Sequence, residues 1–195
     1  MTEKILQSAS LEFNKHGFEK ASMRTIAKNA GVTTGSLYAR FPNKNSLFGA
    51  LVDPVIENFL KTSDTGYKEN VDKLDDENNY FDTENSSTII IDLIYSNKTA
   101  FTLLINCSNG SSYENFADTI VEHEEEKVRT TIETLKKQGF ACVDISNQIL
   151  HMLISSHTYA LFEVIRHDLP KEDAYKQIKE LNDFFSCGWN KIFGL

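Results

Sequence analysis

Apolar residues recur at three- and four-residue intervals along most of the chain, the period of helices that bury one face. Ile5, Ala9 and Phe13, with Leu6 beside them, predict a first helix over about 2–16, stopped at Gly17 and followed by Phe18 as a packing residue. Ser22 reads as an N-cap, and Met23, Ile26, Ala27 and Ala30 share one face of a second helix. Gly31 ends that helix where a left-handed residue is needed. Thr33 caps a third helix, with Leu37 and Phe41 inward and Thr34, Gly35, Tyr38 and Arg40 outward. After Pro42-Asn43-Lys44, the run Leu47, Phe48, Leu51, Val52, Val55, Ile56, Phe59 predicts a fourth, longer helix. Residues 22–41 therefore read as a helix-turn-helix whose second member faces a nucleic acid.

The remaining pattern is helical too. A break is expected over 61–66, a short amphipathic helix over 67–76, and a polar, Asn-rich loop or frayed end over 75–87. Residues 88–95 are rich in β-branched side chains but have no partner strand, so they read as a buried helix. Asn97 caps a helix over about 98–108, closed by the polar turn at 108–112. The longest periodic segment, 113–138, carries Phe116, Ile120, Val128, Ile132 and Leu135, with 122–126 as a solvated acidic patch and Gly139 as C-cap. Two helices close the chain. The first, about 145–166, is apolar nearly all round; the second runs from Pro170 to about Lys191 with Ile178, Leu181, Phe184, Phe185, Trp189, Ile192 and Phe193. Their surplus apolar surface suggests a dimer interface. The fold class is all-α, with a helix-turn-helix module over 1–47 and a helical dimerisation domain over 48–195.

Charge sharpens this division. The 195 residues carry a net charge of −8, yet residues 1–50 hold seven Lys/Arg against three acids. A basic head on an acidic body suits contact with phosphates through the N-terminal module alone. No signal-peptide pattern opens the chain, and no apolar stretch approaches the roughly 20 residues that span a bilayer. A cytoplasmic protein without membrane contact is expected. Cys107, Cys142 and Cys187 lack CxxC or CxxH spacing and read as reduced, buried apolar side chains. His123 sits between Glu122 and Glu124, but adjacent positions diverge around a helix, which favours an exposed polar face over a metal site. Without GxGxxG, a P-loop, GxSxG or HExxH, no catalytic residue, metal or cofactor is expected.

Taken in order, Ile5, Ala9, Phe13, Gly17, Ser22, Ile26, Ala27, Ala30-Gly31-Val32, Gly35, Leu37-Tyr38, Phe41, Lys44 and Leu47 keep one spacing without a gap over more than forty positions. In these residues the first quarter of the chain closely resembles the tetracycline-repressor (TetR) family of transcriptional regulators. The resemblance implies that Thr33, Thr34, Gly35, Tyr38, Arg40 and Lys44 contact a double-stranded DNA operator; Arg24 and Thr25, in the first turn of the second helix, add phosphate contacts. Thr34 stands where relatives often have Lys or Arg, and Ala39 where they have an aromatic, so a forked or ammonium guanine contact from position 34 is not expected. The resemblance further implies a homodimer through the last two helices, repression at a palindromic operator, and release by a small-molecule effector. Candidate effector-lining residues are Tyr95, Phe101, Leu104, Ile105, Cys107, Phe116, His157, Tyr159 and Phe162. The alternative is a helical protein–protein adaptor that keeps the fold without binding DNA.

Overall fold

The computed structural model of the chain describes residues 1–72 and 84–195. Among them are nine helices and no strand: α1 (Thr2–Lys20), α2 (Met23–Asn29), α3 (Thr34–Arg40), α4 (Lys44–Asp72), α5 (Glu84–Ser96), α6 (Lys98–Asn106), α7 (Phe116–Gln138), α8 (Asn147–Arg166) and α9 (Lys171–Phe193). The all-α expectation holds. Of the polar loop anticipated over 75–87, only 84–87 are described, as the first turn of α5; the rest lies outside the described residues. No single described helix is long and apolar enough to cross a membrane. The chain divides into two compact units, Met1–Asn58 with Asn97–Phe116, and Phe59–Ser96 with Ala117–Leu195.

The first unit is built on the periodic positions of α1 to α4. Ile5, Ala9, Phe13, Ile26, Leu37, Leu47, Phe48 and Val52 have no solvent exposure. Phe48 stands edge-on to both Phe13 and Phe18, with ring centroids 5.0 and 5.4 Å away, the T-shaped geometry that aromatic pairs favour. The helical geometry of α1 breaks at Gly17, as expected. The helix kinks there (φ 71°, ψ 165°) and continues to Lys20. The kink takes the Phe18 N–H out of the helical ladder, and it donates to the Cys107 carbonyl at 2.7 Å. That bond ties α1 to the end of α6 and buries Phe18.

In the second unit, α7, α8 and α9 share a core of Val121, Val128, Leu135, Leu150, Ile154, Trp189 and Phe193. The break expected over 61–66 is absent: α4 runs through it to Asp72. This segment is poor in helix formers, and its ties to α7 compensate. Lys127 Nζ donates to Ser63 Oγ at 2.7 Å and to Glu124 at 2.8 Å, Ser63 Oγ also donates to Glu124, and His123 pairs with Asp64 at 2.7 Å. His123 is thus one half of a carboxylate pair, and no cluster of metal-ligating side chains forms among the described residues. The cysteines are all free, but only Cys107 is buried; Cys142 is half-buried and Cys187 exposed, which corrects the expectation of three buried thiols. Cys142 lies in the segment between α7 and α8, and Cys187 lies off the α9 stripe of Ile178, Ser186 and Trp189 that turns inward.

His157 of α8 rests against the Phe185 ring (4.7 Å between centroids), and its Nε2 lies 3.1 Å from Asn182 Oδ1. Burial holds its pKa below the ordinary 6.5; the Asn182 hydrogen bond and the Glu124 charge offset that only in part. The folded state therefore favours the neutral ring. Stability is full above about pH 6.5 and falls as pH drops from there toward the lowered folded-state value, because the unfolded chain takes up the proton first. His157→Gln, which keeps a donor for Asn182, should flatten the decline in melting temperature between neutral and mildly acidic pH.

Candidate nucleic-acid interface

α3 has seven residues, too few to persist alone in water. Its two ends and one anchor hold it. Thr33 Oγ1 accepts from the Ser36 N–H at 3.1 Å, and the Phe41 N–H returns to the Leu37 carbonyl at 2.9 Å. Leu37 is wholly buried and Phe41 nearly so. Gly31, with φ at +70°, makes the turn from α2 that a side chain would strain. Thr34, Gly35, Ser36, Tyr38, Ala39 and Arg40 are left exposed, Tyr38 at 47%. The outward face foreseen from the sequence is present, with Ser36 as an addition. Its hydroxyl pairs with Thr33 Oγ1 at 2.9 Å, so the two form one small polar group at the start of α3.

Gly35 has no folding role on this face. A Cβ built there would meet only Thr33 Oγ1, at 3.8 Å. A glycine inside an exposed helix lowers its stability by about 1 kcal/mol relative to alanine. The residue leaves the helix backbone open to close approach.

α2 is positioned by a capping box completed from another helix. Ser22 Oγ accepts from the Thr25 N–H at 3.3 Å, while the Ser22 N–H donates to Glu12 Oε1 of α1 at 3.0 Å. Glu12 is buried, and one turn away the Ser8 hydroxyl donates to the Ile26 carbonyl at 2.9 Å. Sequence reading passed over both; an acid and a serine on the apolar stripe of α1 were the available signal. Arg24 is exposed and makes no hydrogen bond or ion pair among the described residues, and Thr25 is half-buried beside it. The Arg40 guanidinium donates to Thr2 Oγ1 at the start of α1.

Lys44 opens α4, as expected, and its side chain turns to the end of α1. Its Nζ donates to the Glu19 carbonyl at 2.9 Å and the Ala21 carbonyl at 3.2 Å, and lies 4.7 Å from the centre of the Phe18 ring. The ammonium closes the C-terminal end of α1, where carbonyls lack helical partners and the helix dipole is negative. Asn43 Oδ1 caps α4 through the Ser46 N–H at 2.8 Å, and Asn45 Oδ1 accepts from Ser112. Tyr113 Oη donates to Asp53 at 2.7 Å; burial first, and then that carboxylate, push its pKa up to about 12.

The nine candidate effector residues are not brought together in one unit. Phe101, Leu104, Ile105, Cys107 and Phe116 belong to the first, where all but Ile105 are buried. Tyr95, His157, Tyr159 and Phe162 belong to the second. Tyr95 Oη donates to the Leu169 carbonyl at 2.8 Å, Tyr159 Oη to Asp118 at 2.5 Å, and Phe162 is wholly buried at 6.0 Å from Phe59.

Comparison with known proteins agrees with this module. Residues 5–51 match the family described as bacterial regulatory proteins, tetR family. Over those residues the chain is similar to the TetR family. Two curated relatives from Bacillus subtilis (strain 168) align with it. An uncharacterized HTH-type transcriptional regulator, YvdT, is 38% identical over 58 residues, and a probable one, YttP, is 38% identical over 63. The alignment spans 30% of each relative's length and 30% and 32% of this chain. The helical architecture extends the likeness beyond the head. The TetR regulator PfmR from Thermus thermophilus superposes with a TM-score of 0.62 at 18% identity, covering 93% of this chain and 96% of that one. NalD, the secondary repressor of the MexAB-OprM multidrug efflux pump in Pseudomonas aeruginosa, gives 0.61 at 18%, covering 92% of each.

In this head, Lys44 serves the fold first. Lys44→Met keeps the aliphatic stem over Phe18 but loses both carbonyl bonds. It should lower stability by about 1–2 kcal/mol, read as a reduced urea midpoint with an unchanged m-value.

Proposed function

We propose that this protein is a homodimeric, DNA-binding transcriptional regulator of the cytoplasm that represses from a palindromic operator and is released by a small-molecule effector. Residues 1–47 are the reading head, and residues 48–195 bind the effector and form the dimer. The observation that carries this reading is the capped, anchored α3 whose whole outer face is exposed and bare of large side chains except Tyr38 and Arg40. In a major groove, Thr34 offers a methyl and a hydroxyl to base edges, Tyr38 reaches a phosphate oxygen, and Arg24, Thr25, Thr33 and Arg40 lie close enough in sequence to flank them. Lys44 contributes by holding the end of α1 and presents its charge to the DNA backbone.

Dimerisation is supported by apolar surface on α8 and α9. Ile149, Met152 and Tyr159 are exposed along α8, and Phe184 on α9 is 75% exposed. Two recognition helices on one palindrome are the usual remedy for the weak binding of a single head.

The decisive experiment is a salt titration of binding to the chain's own upstream DNA. Arg24→Ala and Arg40→Ala should each weaken binding to all sequences. Each should also lower the slope of log K against log[salt] by about 0.9 for every phosphate that a head no longer neutralises. Gly35→Ala should raise thermal stability and weaken binding, and Thr34→Ala should change preference among operator variants at an unchanged slope. A parent protein that ignores this DNA at low salt refutes the proposal. Independently, Phe184→Asp should sediment as a lone subunit and bind the operator weakly, whereas the parent sediments as a dimer.

A further inference from the structure

A groove of about 240 Å³ opens between α5 and α9, inside the second unit. None of the nine effector candidates lines it. Its apolar surface includes Ile91 and Ile178, both buried, together with Tyr175, whose hydroxyl is committed to Asp92. The charged groups on its described lining are Lys176 and Lys179, and none of the described lining residues is acidic, in a chain with 28 acids against 20 Lys and Arg. Lys176 is an exposed ammonium with Asp173 at 3.9 Å.

The deepest polar group is Asn182, 3% exposed. Its Oδ1 is occupied by His157 Nε2 at 3.1 Å. An amide has two donor hydrogens on its nitrogen; among the described residues, those of Asn182 have no protein partner, yet no fully buried side-chain nitrogen lacks one. The nitrogen is therefore open to the groove that Asn182 lines. His157 fixes one end of the amide and so aims the other.

We propose that this groove binds a small amphipathic anion, one ring or a branched chain bearing a carboxylate. The apolar body lies over Ile91 and Ile178, and the carboxylate accepts from Asn182 Nδ2 and from Lys176, with the charge of Lys179 nearby adding to the attraction. Size agrees with this class, since a protein cavity of about 150 Å³ admits benzene and this one leaves room for a substituent. The inference rests on the effector reading in giving the effector a chemical class and a seat on α9. Asn182 lies two residues from Phe184, so a ligand here bears on the helix assigned to the dimer, where a preference for one arrangement becomes a change in operator affinity.

The test uses the full chain, with phenylacetate and 4-methylvalerate as anionic probes and phenethylamine as the cation of similar body. Binding is followed by calorimetry and by the side-chain amide NMR signals of Asn182. The anions should move those signals saturably and phenethylamine should not. The surface double variant Lys176→Gln/Lys179→Gln should bind the anions about tenfold more weakly, as expected when charge-assisted hydrogen bonds are removed. Unmoved Asn182 signals with both anions, equal binding of the amine, or undiminished binding by the double variant would each overturn the proposal. Gel shifts with upstream DNA, run separately, keep the two readings apart. DNA binding without anion binding removes the groove alone; anion binding without DNA binding removes the regulator reading alone; anion binding that leaves operator affinity unchanged removes the effector assignment.

Discussion

The exposed face of α3 exists because Leu37 is buried. A helix of seven residues cannot repay its nucleation from its own hydrogen bonds, so its stability is borrowed through that one side chain and the Phe41 that follows. The core receiving them is rigid for the same reason that it is small. Phe13, Phe18 and Phe48 meet edge and face within 6 Å of one another and leave no slack for a shifted helix. The positions that carry the fold and those that would meet a ligand are thereby separated along one short helix. Substitutions on the outer face touch nothing in the core.

Polar ties give this core its uniqueness. The N-terminus of α2 is closed by Ser22 from its own chain segment and Glu12 from α1, while the C-terminus of α1 is closed by Lys44 from α4. In each case the charge has the sign that the helix end requires, a carboxylate near the positive end and an ammonium near the negative one. An apolar core tolerates some sliding of helices past one another; a carboxylate that must reach one N–H does not. The three ties set the angles at which α1, α2 and α4 hold α3.

Most of this head was legible in the sequence because it is local. Caps at Ser22 and Thr33, the turn at Gly31 and the inward period of Met23, Ile26, Leu37 and Phe41 depend on neighbours three or four residues away. What could not be read depends on distant partners. Gly17 reads as a stop and does break the helix, but the short turn that carries on to Lys20 was not legible, because its Phe18 N–H is bonded to Cys107 far along the chain. Residues 61–66 look like a break, and stay helical because Ser63 and Asp64 bond to α7. Lys44 reads as a phosphate ligand from its place at the start of a helix, yet its nearest acceptors are carbonyls of another helix. The effector candidates were chosen as aromatic and aliphatic residues on apolar helices, a criterion that ordinary core residues such as Phe101 and Phe162 meet equally well. Asn182 was missed although a signal existed, since it shares the inward stripe of α9 with Ile178, Ser186 and Trp189.

That stripe makes α9 unusual in a way that bears on assembly. Asn182, Ser186 and Asn190, each four residues apart, are buried, and Asn190 Nδ2 donates to the Ser186 carbonyl at 2.8 Å. Phe184, on the same helix, faces solvent. A helix meant to lie on one core with its other side in water reverses this arrangement, because an exposed phenylalanine forgoes roughly 1.5–3 kcal/mol of burial and a buried amide must find partners to avoid a comparable penalty. Both features make sense together if α9 has two packed faces. The inner one is polar enough to fix its register through His157 and open one amide to a groove. The outer one is apolar in the way the proposed dimer requires, with a second copy of the chain covering Phe184.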